Sequence, residues 1–157
     1  MSLEAFHDAD TFTALQSSDV QWVTPVSSNS AIHAMADAHC SFMANVGRKE
    51  RRAIVGTDLS TTDSAAITQA KALNSDRTSL VHIGHYNYND AGVLTLYPAY
   101  ISAAMLAGAF AGVNPGTPLT NKTIRVQGLE RNLRNPVDTD VLINGGILCL
   151  ENTSNGY

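Results

Sequence analysis

The stretch from Ala53 to Gly84, AIVGTDLSTTDSAAITQAKALNSDRTSLVHIG, decides the fold. Its two ends, Ala53–Gly56 and Ser79–Gly84, are short apolar runs typical of strands that are buried on both faces. Between them, Thr62-Asp63-Ser64 caps a helical pattern that continues to about Leu73. A strand, a helix and a strand in this order form a right-handed crossover in a parallel sheet. We therefore predict an α/β fold: a single compact domain with a mainly parallel or mixed sheet flanked by helices.

The same alternation extends toward the N-terminus. Val20–Val26 is a β-rich run that predicts a first strand. The polar cluster Ser27–Ser30 offers an N-cap, and apolar residues then recur at helical spacing until Gly47 ends the helix. Residues 1–18 are polar with a weak helical pattern. We expect a partly disordered N-terminal segment there, followed by the core domain at 19–157.

Toward the C-terminus, the pattern predicts a turn, two short strands, two helices and a final strand. The predicted ranges are a turn at Tyr86–Gly92, a strand at Val93–Tyr97, an apolar helix from Pro98, a strand at Thr123–Val126, a helix at Val137–Asn144 and a strand at Ile147–Leu150. Small residues dominate the helix from Pro98, and its Gly108-x-x-x-Gly112 pattern is best explained by close packing in the core. We expect this helix to lie close on the sheet.

Composition excludes several classes of partner. The net charge is −4 and the pI is about 5.6, whereas a nucleic-acid binder needs a basic surface to neutralise phosphates. The N-terminus lacks a secretory signal, and the most apolar window, Pro98–Val113, is shorter than the ~20 residues of a membrane-spanning helix. We expect neither nucleic acid nor membrane as a partner.

The two cysteines and the low charge content indicate where the chain is made and what it meets. Cys40 and Cys149 are far apart and outside any C-x-x-C pattern, which predicts free thiols and synthesis in a reducing compartment, the cytoplasm. Charged residues make up 15% of the chain, below the roughly 25% of soluble domains. Much of the surface is therefore neutral, which suits contacts with other protein.

No residue pattern in the sequence predicts catalysis or a cofactor. His33 and His39 are six residues apart on a helix, so they lie on different faces of it. His82 and His85 are three residues apart around a strand end, so they tend to point to opposite sides. Neither spacing predicts a shared metal site. The nucleophile elbow and phosphate-loop strings do not occur. We expect no enzyme activity, no cofactor and no metal.

Two other interpretations stay open. An α/β enzyme or ligand-binding domain would use the C-terminal edge of the sheet near Gly56, Asp58 and Gly84, with Asp63 as a second carboxylate. A thiol or metal protein would use Cys40 with the adjacent His39. The basic run Arg48-Lys49-Glu50-Arg51-Arg52 also has two interpretations, a solvated helix end or a patch of salt bridges between subunits.

The region from Leu94 to Tyr157 carries a family resemblance. It contains an Ala- and Gly-rich helix opened by a proline at Pro98–Gly108, a Pro/Gly loop at Asn114–Pro118 and an Ile-x-x-x-Gly-Leu segment at Ile124–Leu129. A Leu-rich helix end then passes through glycine into a strand at Val141–Leu150. In these features and their order, the chain resembles the core of contractile tail sheath proteins of phages and prophages, including the Mu-like type.

The resemblance implies a structural role. A sheath subunit packs into stacked rings around a tail tube and contracts to drive the tube through a cell envelope, so copies of itself and the tail tube protein are the expected partners and the virion tail is the expected location. Candidate subunit contacts are the basic side chains, which we expect to meet acidic loops on neighbours: Arg48, Lys49, Arg51, Arg52, Arg131 and Arg134.

The last residues carry a further expectation. Asn155-Gly156 follows the final predicted strand and is a strong hairpin signal with no return strand. From this we expect a fragment that lacks a C-terminal region. The resemblance implies that this region carries an arm that adds a strand to a neighbouring subunit, so we expect the fragment by itself to be a monomer or a weak oligomer.

Overall fold

The structure is a computed structural model that describes residues 10–114, 117–118, 123–133 and 136–151. Residues 10–15 are helical and are called α1. The elements that follow are β1 (Trp22–Val23), α2 (Ser30–Asn45), β2 (Arg52–Gly56), α3 (Asp63–Leu73), β3 (Thr78–His82), β4 (His85–Tyr88), β5 (Leu94–Tyr97), α4 (Ala99–Ala111), β6 (Gly128–Leu129), α5 (Pro136–Asn144) and β7 (Ile147–Cys149).

A four-stranded parallel sheet forms the centre of the domain, in the order β1-β2-β3-β7. Its register places Val55 beside Leu80 and Leu80 beside Ile147, so one apolar row crosses three strands. These side chains are at most 5% exposed, as the continuous apolar runs predict for strands covered on both faces. The predicted α/β fold with a mainly parallel sheet is confirmed.

Helices cover both faces of this sheet. On one face, Val55, Leu80 and Ile147 pack with Ala66 of α3 and Leu142 of α5, while Ala36 and Cys40 of α2 pack on Val23 and Ala53. On the other face, Ile54 and Val81 pack against Ala99, Ala103 and Ala107 of α4. Alternation along β2 therefore sends successive side chains into different clusters of the core. The expectation that the small-residue helix lies close on the sheet is confirmed.

A second, three-stranded antiparallel sheet follows β3, in the order β5-β4-β6. The predicted turn at Tyr86–Gly92 is wrong over its first half, because residues 86–88 belong to β4 and pair with β5. The turn itself is formed by Asn89, whose side chain accepts hydrogen bonds from the N–H groups of Ala91 and Val93. Gly92 completes it with a φ of +73°.

The predicted strand at Thr123–Val126 is also wrong. Those residues have no regular secondary structure, and the strand β6 lies two residues further on, where Gly128 and Leu129 pair with β4. A strand this short is defined by its partner and not by its own sequence.

The helix caps agree with the sequence signals. The Asn29 side chain accepts from Ala31 N–H at the start of α2, and Thr62 accepts from Ala65 N–H at the start of α3. Near the N-terminus, Phe12 of α1 is buried against Val23 and Cys40. Residues 1–9 and 152–157 lie outside the described residues, as do the predictions of disorder and of a terminal hairpin that fall on them. None of the described helices is long and apolar enough to cross a membrane.

Candidate functional site

A chain of hydrogen bonds links four elements at the C-terminal edge of the parallel sheet. His82, the last residue of β3, contacts Thr57 Oγ1 through Nδ1 at 2.9 Å and Asp63 Oδ1 through Nε2 at 3.0 Å. Arg131, just after β6, donates from Nη2 to both carboxylate oxygens of Asp63, at 2.5 and 2.6 Å. Thr57 follows β2 directly and Asp63 begins α3, so the parallel strands and the crossover bring these side chains together.

The charged groups in this chain of hydrogen bonds determine the tautomer of His82. Burial would raise the pKa of Asp63, but hydrogen bonds from Arg131 and His82 outweigh it and lower that pKa, so the carboxylate is ionised. Burial lowers the pKa of His82 more than Asp63 raises it, so the imidazole is neutral. It donates from Nε2 to Asp63 and accepts at Nδ1 from the Thr57 hydroxyl.

This hydroxyl, imidazole and carboxylate occur in the order of a catalytic triad, but their burial argues for a structural role. Thr57 is 1% exposed, its hydroxyl donates a hydrogen bond to His82, and its carbonyl accepts one from Tyr100 N–H at 3.2 Å. A nucleophile needs an accessible oxygen. The chain of bonds instead joins β2, β3, α3 and the loop after β6 into one rigid unit.

Sequence reasoning missed this arrangement, although a signal for it was present. Thr57 and His82 both stand at the carboxyl ends of neighbouring parallel strands, where side chains converge. Asp63 was named there, but as a carboxylate of a ligand site.

The C-terminal edge near Gly56, Asp58 and Gly84 is filled by the chain itself. A Cβ on Gly56 would stand 2.4 Å from the backbone of Ala99 and Tyr100, and one on Gly84 would stand 2.4 Å from the Tyr97 carbonyl. Asp58 uses its side chain to accept from Leu59 N–H. The chain's own backbone thus lies against both glycines, which weakens the interpretation of an enzyme or binding site at this edge.

The remaining histidines and cysteines make internal contacts. His33 lies 2.8 Å from the Ser27 carbonyl through Nε2, and His85 lies 2.7 Å from Ser102 Oγ through Nδ1. Burial, with the nearby Asp37, raises the pKa of the Cys40 thiol to about 11, so it is protonated at neutral pH. Within the described residues, no group of three or more His, Cys, Asp or Glu side chains could hold a metal ion.

The basic residues named as candidate subunit contacts lie in different environments. Arg48 and Arg52 are exposed, while Lys49 is half-buried with Nζ 3.5 Å from the Ser18 carbonyl. Arg51 is 1% exposed and donates to the carbonyls of Leu15 and Ser18 and to Nε2 of His39. Its side chain faces the interior. Arg131 is 45% exposed but engaged with Asp63, and Arg134 lies outside the described residues.

The buried polar groups at this edge connect elements of the α/β domain to one another, which is a structural role. Comparisons with known proteins point to the same kind of role. The chain is 38% identical over 128 residues to the tail sheath protein of Bacillus phage SP01, a match that covers 80% of this chain and 22% of the relative. It is 28% identical over 143 residues to a protein of Enterococcus phage phiEF24C named for the tail sheath, covering 91% of this chain and 25% of that one.

The fold has a counterpart among solved structures. The crystal structure of the sheath tail protein from Desulfitobacterium hafniense matches 99% of this chain with a TM-score of 0.72, at 16% identity, over 33% of its own length. No family model matches the chain.

The chain belongs to the tail sheath protein family, as the resemblance predicted. It spans about a quarter of the length of the curated relatives it matches. Tail sheath proteins are structural proteins and not enzymes, in agreement with the expectation from the sequence.

Proposed function

We propose that this chain is a structural part of a contractile tail sheath, in which copies pack into stacked rings around a tail tube and contract to drive the tube through a cell envelope. The observation that carries the proposal is the 38% identity to the SP01 tail sheath protein over 80% of the chain. The partners would be further copies of the chain and the tail tube protein, and the location would be the virion tail.

The internal bonding supports this role. Contraction needs subunits that stay rigid while their interfaces change from one set of contacts to another. Here the sheet is covered by helices on both faces, and the Thr57–His82–Asp63–Arg131 chain joins four elements. A domain built in this way can transmit force without changing its own fold.

The surface supports contact with other protein. Among the described residues, nine large apolar side chains are exposed, on α2, on the β4–β5 hairpin, on α5 and near β1, and the net charge of the chain is small. Such residues are costly on an isolated domain when they cluster, and they favour association.

Electron microscopy tests the proposal. The gene that encodes this chain is expressed from its own start codon to its own stop codon, and the purified product is examined by negative stain for tubes or stacked rings. We expect polymers with a regular axial repeat. A product that stays monomeric by light scattering at every concentration tested, and that is missing from purified tails by mass spectrometry, would contradict the proposal.

A further inference from the structure

The strand order of the parallel sheet places the first and the last of its strands along the chain at opposite edges. The order is β1-β2-β3-β7, and each neighbouring pair is parallel. Because all four strands point the same way, the chain enters β1 at the N-terminal edge of the sheet and leaves β7 at the C-terminal edge. A pull between the segment before β1 and the segment after β7 therefore acts along the strands, in opposite directions at β1 and β7.

Such a pull loads the sheet in shear. The hydrogen bonds of a ladder run across the strands, so sliding one strand along its neighbour strains every bond of that ladder at once. A pull that separates two strands from one end instead breaks the bonds one after another. The ladder between β2 and β3 extends over Ala53–Gly56, whereas the ladder between β1 and β2 extends over Trp22–Val23. The short ladder at the β1 edge therefore depends on further contacts to bear a load.

Arg51 supplies such contacts at the β1 edge. It immediately precedes β2, and its side chain donates to the carbonyls of Leu15 and Ser18, which belong to the segment before β1. In addition, the carbonyl of Gln21 accepts from Arg52 N–H at 2.9 Å. A pull on the segment before β1 is thus passed to β2 through side-chain bonds as well as through the ladder.

A second side-chain bond joins the two central strands at the opposite edge. His82 ends β3 and contacts the hydroxyl of Thr57, directly after β2, at 2.9 Å. Cys149, the last residue of β7, is the register partner of His82. Leu150 then packs in the same core cluster as Ala103 of α4. A pull on the segment after β7 is thus passed to β3, and from β3 to β2.

The helices that connect the strands lie outside this path. They pack on the two faces of the sheet, so each helix can stay folded while the ladders bear the load. The covalent segments between the strands lengthen only after a ladder has broken. The first barrier to extension is therefore the shearing of the sheet.

We propose that the parallel sheet is a mechanical clamp, which resists a pull between the segment before β1 and the segment after β7, and that Arg51 anchors its entry side. In a contracting sheath, a subunit loaded in this direction keeps its fold while its interfaces change. That use of the clamp rests on the proposed function, whereas the resistance itself is a property of the chain and is measured on the chain alone.

Single-molecule pulling in two directions tests the clamp. The shear variant carries one cysteine handle before β1, Asp19→Cys, and one after β7, Glu151→Cys. The unzipping variant carries Asp58→Cys, after β2, with the same Glu151→Cys, so both of its handles lie at the C-terminal edge and the pull opens the sheet from there. All three positions are exposed. Cys149 is half-buried and is replaced by alanine in both variants, while Cys40 is 0% exposed and stays.

We expect the shear variant to unfold at a higher force than the unzipping variant at the same loading rate. The two variants share one fold, so their free energies of unfolding in urea should agree, and the difference in force then reports the direction of the pull. If Asp58→Cys lowers the melting temperature, Ser64→Cys replaces it, because Ser64 is exposed at the start of α3 on the same edge. Equal forces, or a lower force in shear, would overturn the clamp.

Arg51→Ala tests the anchor separately, with a handle on either side of the carbonyls that Arg51 binds. A handle at Asp10→Cys, at the start of α1, directs the load through Leu15 and Ser18, whereas the handle at Asp19 lies beyond them. We expect the substitution to lower the unfolding force more with the first handle than with the second. An equal loss with both handles would show that Arg51 contributes to stability alone and is no part of the load path.

The outcomes distinguish this inference from the function on which its use rests. If the shear and unzipping forces are equal, the clamp fails, and the sheath proposal is still decided by the search for polymers. If the chain forms no polymers but resists shear more than unzipping, the sheath proposal fails and the clamp stands.

Discussion

Arg51 shows how burial can change the role of a residue within a single basic run. Its side chain is 1% exposed, and both nitrogens at the end of the guanidinium donate to acceptors in the interior. Those acceptors are two carbonyls at and after the end of α1 and the Nε2 of His39. The alternation of β2 accounts for the difference between neighbours, because Arg51 lies on the same side as Ala53 while Arg52 lies on the other. Arg51 therefore fixes α1 to the body of the domain.

Replacement of Arg51 by alanine should destabilise the domain. The carbonyls of Leu15 and Ser18 and the imidazole of His39 would lose their donor, and a cavity would remain. We expect the free energy of unfolding to fall by about 3 kcal/mol, measured by urea denaturation. The exposed neighbour provides the control, because Arg52→Ala should change stability by no more than about 0.5 kcal/mol. Equal effects of the two substitutions would show that Arg51 does not hold α1.

At the scale of elements, a glycine in β2 permits the close contact between β2 and α4. Gly56 allows the first turn of α4 to pass directly over the end of the strand, since any Cβ there would lie 2.4 Å from the backbone of Ala99 and Tyr100. The sequence suggested that close packing explained the Gly108-x-x-x-Gly112 pattern instead. That interpretation is wrong for Gly108, whose Cβ would meet nothing within 4 Å. The glycine that close packing requires is in the strand.

A pair of glycine substitutions checks this assignment. Gly56→Ala should lower the free energy of unfolding by about 3 kcal/mol, because a backbone-to-backbone overlap can be relieved only by moving α4 off the sheet. Gly108 lies on the exposed side of α4. Gly108→Ala should stabilise the domain by roughly 0.5–1 kcal/mol, since alanine is more favourable than glycine in the interior of a helix. Thermal denaturation of both variants measures the two shifts. A shift of the same sign for both variants would contradict the assignment.

How well an element was predicted depended on where its determinants lie. The helix α3 was predicted to within a residue, because the Thr62 cap and the apolar spacing are local signals. The strand β4 was read as a turn, because Asn87 and the residues beyond it have turn chemistry and the pairing with β5 overrides it. The His82–Asp63 bond joins residues 19 positions apart in sequence, so it depends on the crossover bringing them together. Features set by neighbouring residues could be predicted from the sequence, whereas contacts between residues far apart in the chain could not.

At the scale of the whole molecule, four histidines of the part that the structure describes are buried, and they are distributed over the domain. His33 and His39 lie in α2, His82 ends β3, and His85 begins β4. Burial lowers the pKa of each below its ordinary value, and Arg51 adds to the effect at His39. The folded state therefore holds all four as neutral imidazoles near pH 7, two of them on α2 and one in each sheet. Protonation of any of them would place a positive charge in a buried position, which lowers the stability of the folded state.

The stability of the domain should therefore fall in mild acid. In the unfolded chain these histidines bind protons near pH 6.5, whereas in the folded chain their pKa values are lower, so the unfolded state binds more protons as the pH falls below about 6.5. The free energy of unfolding should be nearly constant above pH 7. It should then decrease by up to about 1.4 kcal/mol per pH unit for each histidine that titrates in this way. Asp63 acts in a separate window, because its lowered pKa makes its contribution disappear at pH values below about 4. Urea denaturation at pH 7.5, 6.5 and 5.5 measures the first window, and His39→Gln, which keeps an acceptor for Arg51, should reduce the slope there. A free energy of unfolding that is the same at pH 7.5 and pH 5.5 would show that the folded state accommodates the protonated histidines.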